Sequence, residues 1–374
     1  MAEGFTIRQT NDRIIATIDG LPAGGQAGAR PFIIPVFIPM SGCPHRCAFC
    51  NQTAITGVKP HAVSPSAVTH AIDTLLPFVR DRGRTVQIAF YGGNFLGLPE
   101  QHLHDLLAIA TAHVTRGDVA SIRFSTRPDT ITESRLAAIR DFPVHTIELG
   151  VQSMDDRVLA RANRGHNAQC TLNAARMVAS AGYALGLQMM TGLPGDTPRR
   201  AIQTARKLVA LAPDFVRIYP TLVLRQSRLA EAFRTGAFIP ASLHETIVLV
   251  SRLLRVFAAA HIPVIRMGLQ ADEALAAPGA ILAGPYHPAL GERVHSHLFY
   301  RLAKAALALA PPGSHASTIR VHPRHLSRMI GTGRENLSRL KTHFHLENLS
   351  VQADTGVTPH HLEVDTAPSP IALK

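Results

Sequence analysis

Cysteine is scarce in this chain, four in 374 residues, and that scarcity excludes the disulfide framework of a small secreted protein. Acidic residues are also few. Against 38 Lys and Arg stand 26 Asp and Glu, a formal net charge of +12; the excess favours polyanionic partners such as nucleic acid, unless the arginines serve solubility alone. Long apolar runs are missing as well. Although 46% of the residues are hydrophobic, each run is interrupted by Pro, Gly or charge far short of a membrane span, and Met1–Gly20 lacks the basic start and apolar core of a signal peptide. The expectation is a reduced, cytoplasmic protein without membrane contact, with one large domain and a smaller appendage.

Three of the four cysteines, Cys43, Cys47 and Cys50, are gathered in one run, Ser41–Gln52. They are too close for ordinary disulfide pairing and one ligand short of a tetrahedral zinc site. Two readings stay open. A zinc knuckle completed by His45 or a distant side chain would be structural, whereas a four-iron cluster held by three thiolates leaves one iron open to a small molecule. Thiolates suit iron because they are anionic and soft, and spacings of three and two residues let one loop wrap three corners. Cys170 stands apart on a predicted helix and reads as an inert thiol. The 20 histidines show no repeated metal-ligand spacing.

Short runs rich in Val and Ile, at Ile33–Ile38, Val86–Tyr91, Ser121–Ser125, Thr146–Val151, Ala184–Met190 and Phe215–Tyr219, predict six strands. Between them Ser64–Arg80, Pro99–Arg116, Thr132–Arg140, Ala168–Ala181 and Thr197–Leu211 have helical period, several opening on Ser, Thr or Pro. Parallel strands joined by crossover helices follow, in an α/β fold that is a full or partial barrel or a doubly wound sheet. The cysteine run comes directly after the first strand and Gly92-Gly93-Asn94 after the second, so both face one mouth at the carboxyl ends.

Residues 1–30, including the Gly- and Ala-rich Pro22–Arg30, read as an N-terminal extension, and 31–310 as the core with helical additions at Ser242–Ala260 and Leu290–Leu309. After a hinge at Ala310–Ser314, residues 315–366 read as a small basic C-terminal α/β unit. Its strands are expected at Thr318–Val321 and Leu349–Gln352, around a basic helical region at Met329–Phe344, and Ala367–Lys374 reads as a loose tail. This unit carries Arg320, Arg324, Arg328, Arg334, Arg339 and Lys341, and Ile330–Asn336 resembles the start of a KH-type RNA-binding loop, with one residue between its glycines instead of two. A solvated basic helix is the plainer reading.

Taken together, Cys-x3-Cys-x2-Cys after one strand and Tyr91-Gly92-Gly93-Asn94-Phe95 after the next resemble the radical S-adenosylmethionine (radical SAM) superfamily. Five further motifs are similar, in order, to the radical domain of the Elongator catalytic subunit and more distantly to oxygen-independent coproporphyrinogen oxidases. They are Ser125–Asp129, Glu148–Ser153, Asn163–His166, Met189–Gly195 and Arg217–Thr221.

The resemblance implies a partial (β/α)6 TIM-like barrel whose three cysteines ligate a [4Fe-4S] cluster, with S-adenosylmethionine chelating the fourth iron. It also implies a reducing electron donor and a 5′-deoxyadenosyl radical as hydrogen abstractor. On this reading Phe49 shields the cluster, Gly92 and Gly93 meet the methionine amino group, and Asn94 stands where many members carry glutamate. Ser125, Arg127, Glu148, Gln152 and Ser153 supply donors and acceptors for cofactor and substrate; Glu148, Gly150 and Gln152 share one strand face by alternation. Gln188 precedes the Gly192–Gly195 turn, which resembles an adenine-packing segment. Arg217 and Tyr219 alternate on the sixth strand as candidate catalytic residues, and a buried arginine there requires either an anionic ligand or a carboxylate such as Glu148. The expected function is a radical enzyme acting on RNA or another polyanion. A coproporphyrinogen-oxidase-like enzyme and a non-catalytic, metal-stabilised RNA-binding protein are the alternatives.

Overall fold

The computed structural model describes residues 5–10, 13–21, 31–44, 46–52, 55, 63–79, 85–269, 275, 277–310 and 316–365. Along the chain the strands are β1 (Phe5–Gln9), β2 (Arg13–Ile18), β3 (Phe32–Phe37), β4 (Val86–Tyr91), β5 (Ser121–Thr126), β6 (Val144–Gln152) and β7 (Ala184–Thr191). They continue with β8 (Phe215–Pro220), β9 (Val223–Leu224), β10 (Val264–Met267), β11 (Ile281–Ala283), β12 (Ala316–Val321), β13 (Asn348–Ala353) and β14 (His361–Asp365). Helices of ten residues or more are α1 (Pro65–Leu75), α2 (Glu100–Thr115), α3 (Ala168–Ser180), α4 (Pro198–Val209), α5 (Leu243–Ala259), α6 (Leu290–Leu307) and α7 (Glu335–Phe344).

Two compact units emerge: residues 27–246 with 262–288, and residues 1–26 with 247–261 and 289–374. The larger is a curled, partial barrel. Its seven parallel strands lie in the order β10-β8-β7-β6-β5-β4-β3, sequence order throughout with β9 passed over, as successive crossover connections dictate. Helix starts follow their sequence signals. Ser64 Oγ accepts from Ala67 N ahead of α1, and Thr197 Oγ1 accepts from Arg200 N ahead of α4, each with proline in the first helical position. The outer side of the sheet is apolar, with Phe90, Phe95 and Phe124 stacked at centroid separations of 4.6 and 4.7 Å. The six expected strands are all present, and β10 is a seventh. It is only four residues long and follows Pro263, too short a run for periodicity to register.

In the smaller unit the sheet order is β1-β2-β14-β12-β13, antiparallel except for β12 beside β13. Residues 5–18 are therefore not a separate extension, because β2 pairs with β14 over Arg13↔Asp365 to Thr17↔His361. Nor does α6 belong with the barrel. Its buried face, including Val294, Leu298, Phe299 and Leu302, lies against β2 and α7. A cluster of imidazoles lies here as well, His325 at 4.5 Å from His360, 6.4 Å from His322 and 5.0 Å from Phe299 between ring centroids. The expected approach at Pro22–Arg30, most of the hinge at Ala310–Ser314 and the tail at Ala367–Lys374 fall outside the described residues.

Candidate active site

At the end of β3 the chain enters the cysteine loop, which backbone hydrogen bonds tie to its neighbours. Met40 N donates to Gly92 O (3.0 Å), Asn94 N to Ser41 O (2.9 Å), and Ala48 N to Ala162 O (2.9 Å). Gly93 is required by this close approach. A Cβ there would lie 2.4 Å from Ile38 O and 2.7 Å from Ser41 O, backbone atoms that have nowhere to go. Cys43, Cys47 and Cys50 are free thiols, and all three border a cavity of about 1190 Å³ that runs along the inner face of the sheet. Burial pushes Cys50 up to about 12, with Cys47 and Cys43 adding to it, and burial also raises Cys43. Three soft, anionic-capable sulfur donors on one short loop facing one cavity are the donor set that an iron–sulfur cluster takes, so the residues fit that group.

Deeper in the barrel, the strand register aligns Ser125 with Glu148 and Gly186, and Gly150 with Gln188 and Arg217. Glu148 has no exposed surface. Its Oε1 accepts from Arg123 Nη2 (2.6 Å) and Nε (3.1 Å), Arg217 Nη2 (3.1 Å) and Tyr91 Oη (3.1 Å). Its Oε2 accepts from Gln188 Nε2 (2.9 Å) and lies 2.8 Å from Arg217 Nε. Burial alone would raise this carboxyl, but Arg217 and Arg123, with hydrogen bonds from Gln188 and Arg123, hold it below the usual carboxylate range. Burial, then Glu148, pushes Tyr91 up, so its phenol stays protonated and donates. Gly186 supplies the space. A Cβ at that position would stand 2.4 Å from the Phe215 ring and 2.9 Å from Glu148 Cγ. The partner that buried Arg217 requires is thus Glu148.

Phe49, Gly92, Gly93, Ser125 and Arg127 border the cavity beside the cysteines, as do Gln152, Gln188, Arg217 and Tyr219. Gln152 adopts φ +69°, and its Oε1 is buried without a hydrogen-bond partner among the described residues, a spare acceptor on the wall that a ligand's donor would satisfy. Three expected residues make hydrogen bonds within the protein. Glu148 is enclosed by its cations, and Ser153 Oγ accepts from Asp155 N (3.1 Å) and lies 3.4 Å from Thr204 Oγ1. Asn94, fully buried, braces the loop. Its Nδ2 donates to Gly42 O (2.7 Å), and its Oδ1 accepts from Thr126 Oγ1 (2.7 Å), Arg127 N (2.9 Å) and Thr130 Oγ1 (3.0 Å). The neutral side chain at this position is therefore a structural joint, with every polar atom taken up by protein.

Sequence reasoning missed Arg123, Tyr91 and Arg164 as members of the site. Arg123 alternates with Ser125 and was findable by strand period; Arg164 follows a short helix, where no periodicity points inward. His45, the local candidate for a fourth ligand, lies outside the described residues. Among those residues, no group of three or more His, Cys, Asp and Glu side chains is placed to hold a single metal ion, and no helix is long and apolar enough to cross a membrane.

Comparison with known proteins agrees with this geometry. The Radical SAM superfamily model matches residues 37–208 and the Radical_SAM C-terminal domain model residues 213–299, together well over half of the chain. Elongator complex protein 3 of Saccharomyces cerevisiae is 26% identical over 271 residues, 59% of this chain and 48% of that protein. An uncharacterized protein of Methanocaldococcus jannaschii is 26% identical over 232 residues, 60% of this chain and 71% of that one. The chain spans about half the length of the Elongator relatives it matches. Among solved structures, the archaeal Methanocaldococcus infernus Elp3 superposes with a TM-score of 0.55 at 20% identity, covering 72% of this chain and 63% of its own, and so shares the fold. With a three-cysteine loop at the end of the first barrel strand and both family models matched in succession, the chain belongs to the radical SAM superfamily of enzymes, whose cofactors are a [4Fe-4S] cluster and S-adenosylmethionine.

Proposed function

We propose that Cys43, Cys47 and Cys50 hold the cluster, that Phe49, Gly92, Gly93, Ser125, Arg127, Gln152 and Gln188 seat S-adenosylmethionine beside it, and that the substrate is RNA or another polyanion met by Arg217 and Tyr219. The observation that carries this reading is the sharing of one cavity by three free thiols and the spare acceptor of Gln152. When bound, the cluster would pass one electron from an external donor to S-adenosylmethionine, whose cleavage to methionine would supply the 5′-deoxyadenosyl radical that abstracts hydrogen from the substrate. The chain's own residues position and enclose. Phe49, Met190, Leu222 and Leu224 give the cavity wall apolar surface, which suits a site that must keep water from a radical, while the Glu148 network fixes Arg217 and Gln188 without needing the ligand. Tyr219 Oη accepts from Arg217 Nη1 at 3.4 Å and, on the cavity wall, keeps its own O–H as a donor toward substrate.

Support for a polyanionic substrate comes from the net charge of +12 and from the likeness to the Elongator proteins. The smaller unit contributes less than its composition suggests. Arg320 pairs with Asp365 (3.1 Å), Arg328 with Glu292 (2.7 Å), and Arg339 lies over the Tyr300 ring and 3.6 Å from Glu335. Lys341 Nζ donates to Glu347 O (3.3 Å), which leaves Arg324 and Arg334 of the six as its candidates for phosphate.

The test is anaerobic reconstitution with iron and sulfide, reduction in the presence of S-adenosylmethionine, and measurement of 5′-deoxyadenosine. Alanine at Cys43, Cys47 or Cys50 should abolish both cluster and product, and Cys170→Ala should abolish neither. A loaded protein that leaves the cofactor uncleaved refutes the reading. Binding of a transfer-RNA pool should weaken steeply with salt, and less steeply in an Arg324→Ala/Arg334→Ala variant; salt-independent retention counts against phosphate recognition.

A further inference from the structure

Cys47 is the most enclosed of the three loop cysteines, 7% exposed. Two guanidinium groups reach its sulfur, Arg164 Nη1 at 3.4 Å and Arg127 Nη1 at 3.9 Å. Both are held from behind. Arg164 Nη2 donates to Gly150 O at 2.5 Å, at a glycine whose Cβ would otherwise stand 2.9 Å from that nitrogen. Arg127 Nη2 donates to Arg164 O at 2.7 Å, Asp129 grips Arg127 through both carboxylate oxygens at 2.8 and 2.7 Å, and Asn94 Oδ1 accepts from Arg127 N at 2.9 Å. A relay of fixed contacts thus runs from Asn94 through Arg127 to Arg164 and ends on sulfur. Such ordering of a buried guanidinium is costly, and its direction is what it secures.

We propose that Arg164 is a positioning residue for the cluster: its N–H bond to the Cys47 sulfur draws electron density from that corner and makes the cluster easier to reduce. The inference rests on the assignment of the three cysteines to the cluster. Reduction adds one electron, delivered by an external low-potential one-electron donor, and forms or breaks no bond. The added negative charge is stabilised by N–H donors and positive charge at the thiolates, the levers that set cluster potentials. Arg127 contributes less, because it is farther away and Asp129 already meets its charge.

The experiment is a redox titration of the reconstituted holoprotein without S-adenosylmethionine, followed by the electron paramagnetic resonance signal of the reduced cluster. Iron and sulfide content is measured first. A wild-type protein without a cluster, or one whose cluster survives Cys47→Ala, refutes the assignment on which the tuning rests; the potentials of the loaded variants test the tuning by itself. Arg164→Met, which keeps bulk and loses the donor, should shift the reduction equilibrium at least tenfold toward the oxidised state, about 59 mV for one electron. Arg164→Lys should fall between, and Asp129→Asn, which frees the charge of Arg127, should shift the potential upward. A fully loaded Arg164→Met protein with wild-type potential overturns the proposal. Should that variant hold no cluster, wild-type potentials in both Arg164→Lys and Asp129→Asn overturn it instead.

Discussion

Glu148→Gln tests whether the barrel interior is organised by charge. The carboxylate accepts from Arg123 at 2.6 Å and from Arg217 at 3.1 Å, with no solvent exposure, so an amide of the same shape leaves two buried guanidiniums facing a neutral group. At about 4 Å and an effective dielectric near 20, one unit-charge pair is worth about 4 kcal/mol before desolvation is subtracted. Removing one partner of a buried pair costs about 3–5 kcal/mol, because the remaining charge stays buried. In a unit of this size 1 kcal/mol moves Tm by about 2–4 °C, so the expected fall is on the order of 10 °C. The assay is anaerobic thermal unfolding at pH 7 by circular dichroism, for the wild type, Glu148→Gln, Arg217→Gln and the double variant. In the double variant one positive charge leaves with the negative one, which restores the original balance. It should recover part of the loss, with a coupling energy of about 1–3 kcal/mol. A single variant melting within about 2 °C of wild type, or losses that simply add, would refute the claim that this carboxylate is held ionised between two cations.

The same network marks where sequence reading stops. The positions of β3 to β8 were legible because each is a short apolar run, whereas the alternation expected of Glu148, Gly150 and Gln152 is interrupted by a register shift between Gly150 and Gln152, where Gln152 takes a φ of +69°. That Arg217 is answered by Glu148 is a matter of register across β6, β7 and β8, and register between parallel strands is set by crossover packing that no local pattern encodes. Spacing marked the cysteine loop as a metal site but left zinc knuckle and four-iron cluster open, and the ordered motifs further along the chain pointed to the cluster. Asn94 was placed by resemblance at the cofactor, and the structure spends all its polar atoms on Gly42, Thr126, Arg127 and Thr130; a motif position preserves location, whereas the direction of a short amide depends on what surrounds it. The smaller unit was misdivided for a topological reason. Its sheet joins β2 to β14 across nearly the whole chain, and contacts so distant in sequence leave no composition boundary.

Gly93→Ala should cut iron loading even with all three cysteines intact, since its Cβ would meet Ile38 O at 2.4 Å and push the loop away; normal iron content per chain would count against this. Asn94→Ala leaves several buried groups around Gly42 and Arg127 without partners at about 1–3 kcal/mol each, so the urea midpoint should fall clearly, and Asn94→Asp should recover only part of it. In the smaller unit, acid should destabilise. Burial, with Arg328 and neighbouring histidines, lowers His295 to about 3 and both His325 and His360 to about 4, while Glu292 faces the same cluster with its carboxyl lowered chiefly by the hydrogen bond from Arg328. The unfolded chain binds these protons from about pH 6.5 and the fold refuses them until near 4, so stability is complete above 6.5 and falls as pH drops, by at most about 1.4 kcal/mol per unit for each histidine. Urea midpoints of the intact protein at pH 7, 6 and 5 should therefore decline, less steeply in His295→Phe, and a flat series would show that these imidazoles accept protons in the folded state.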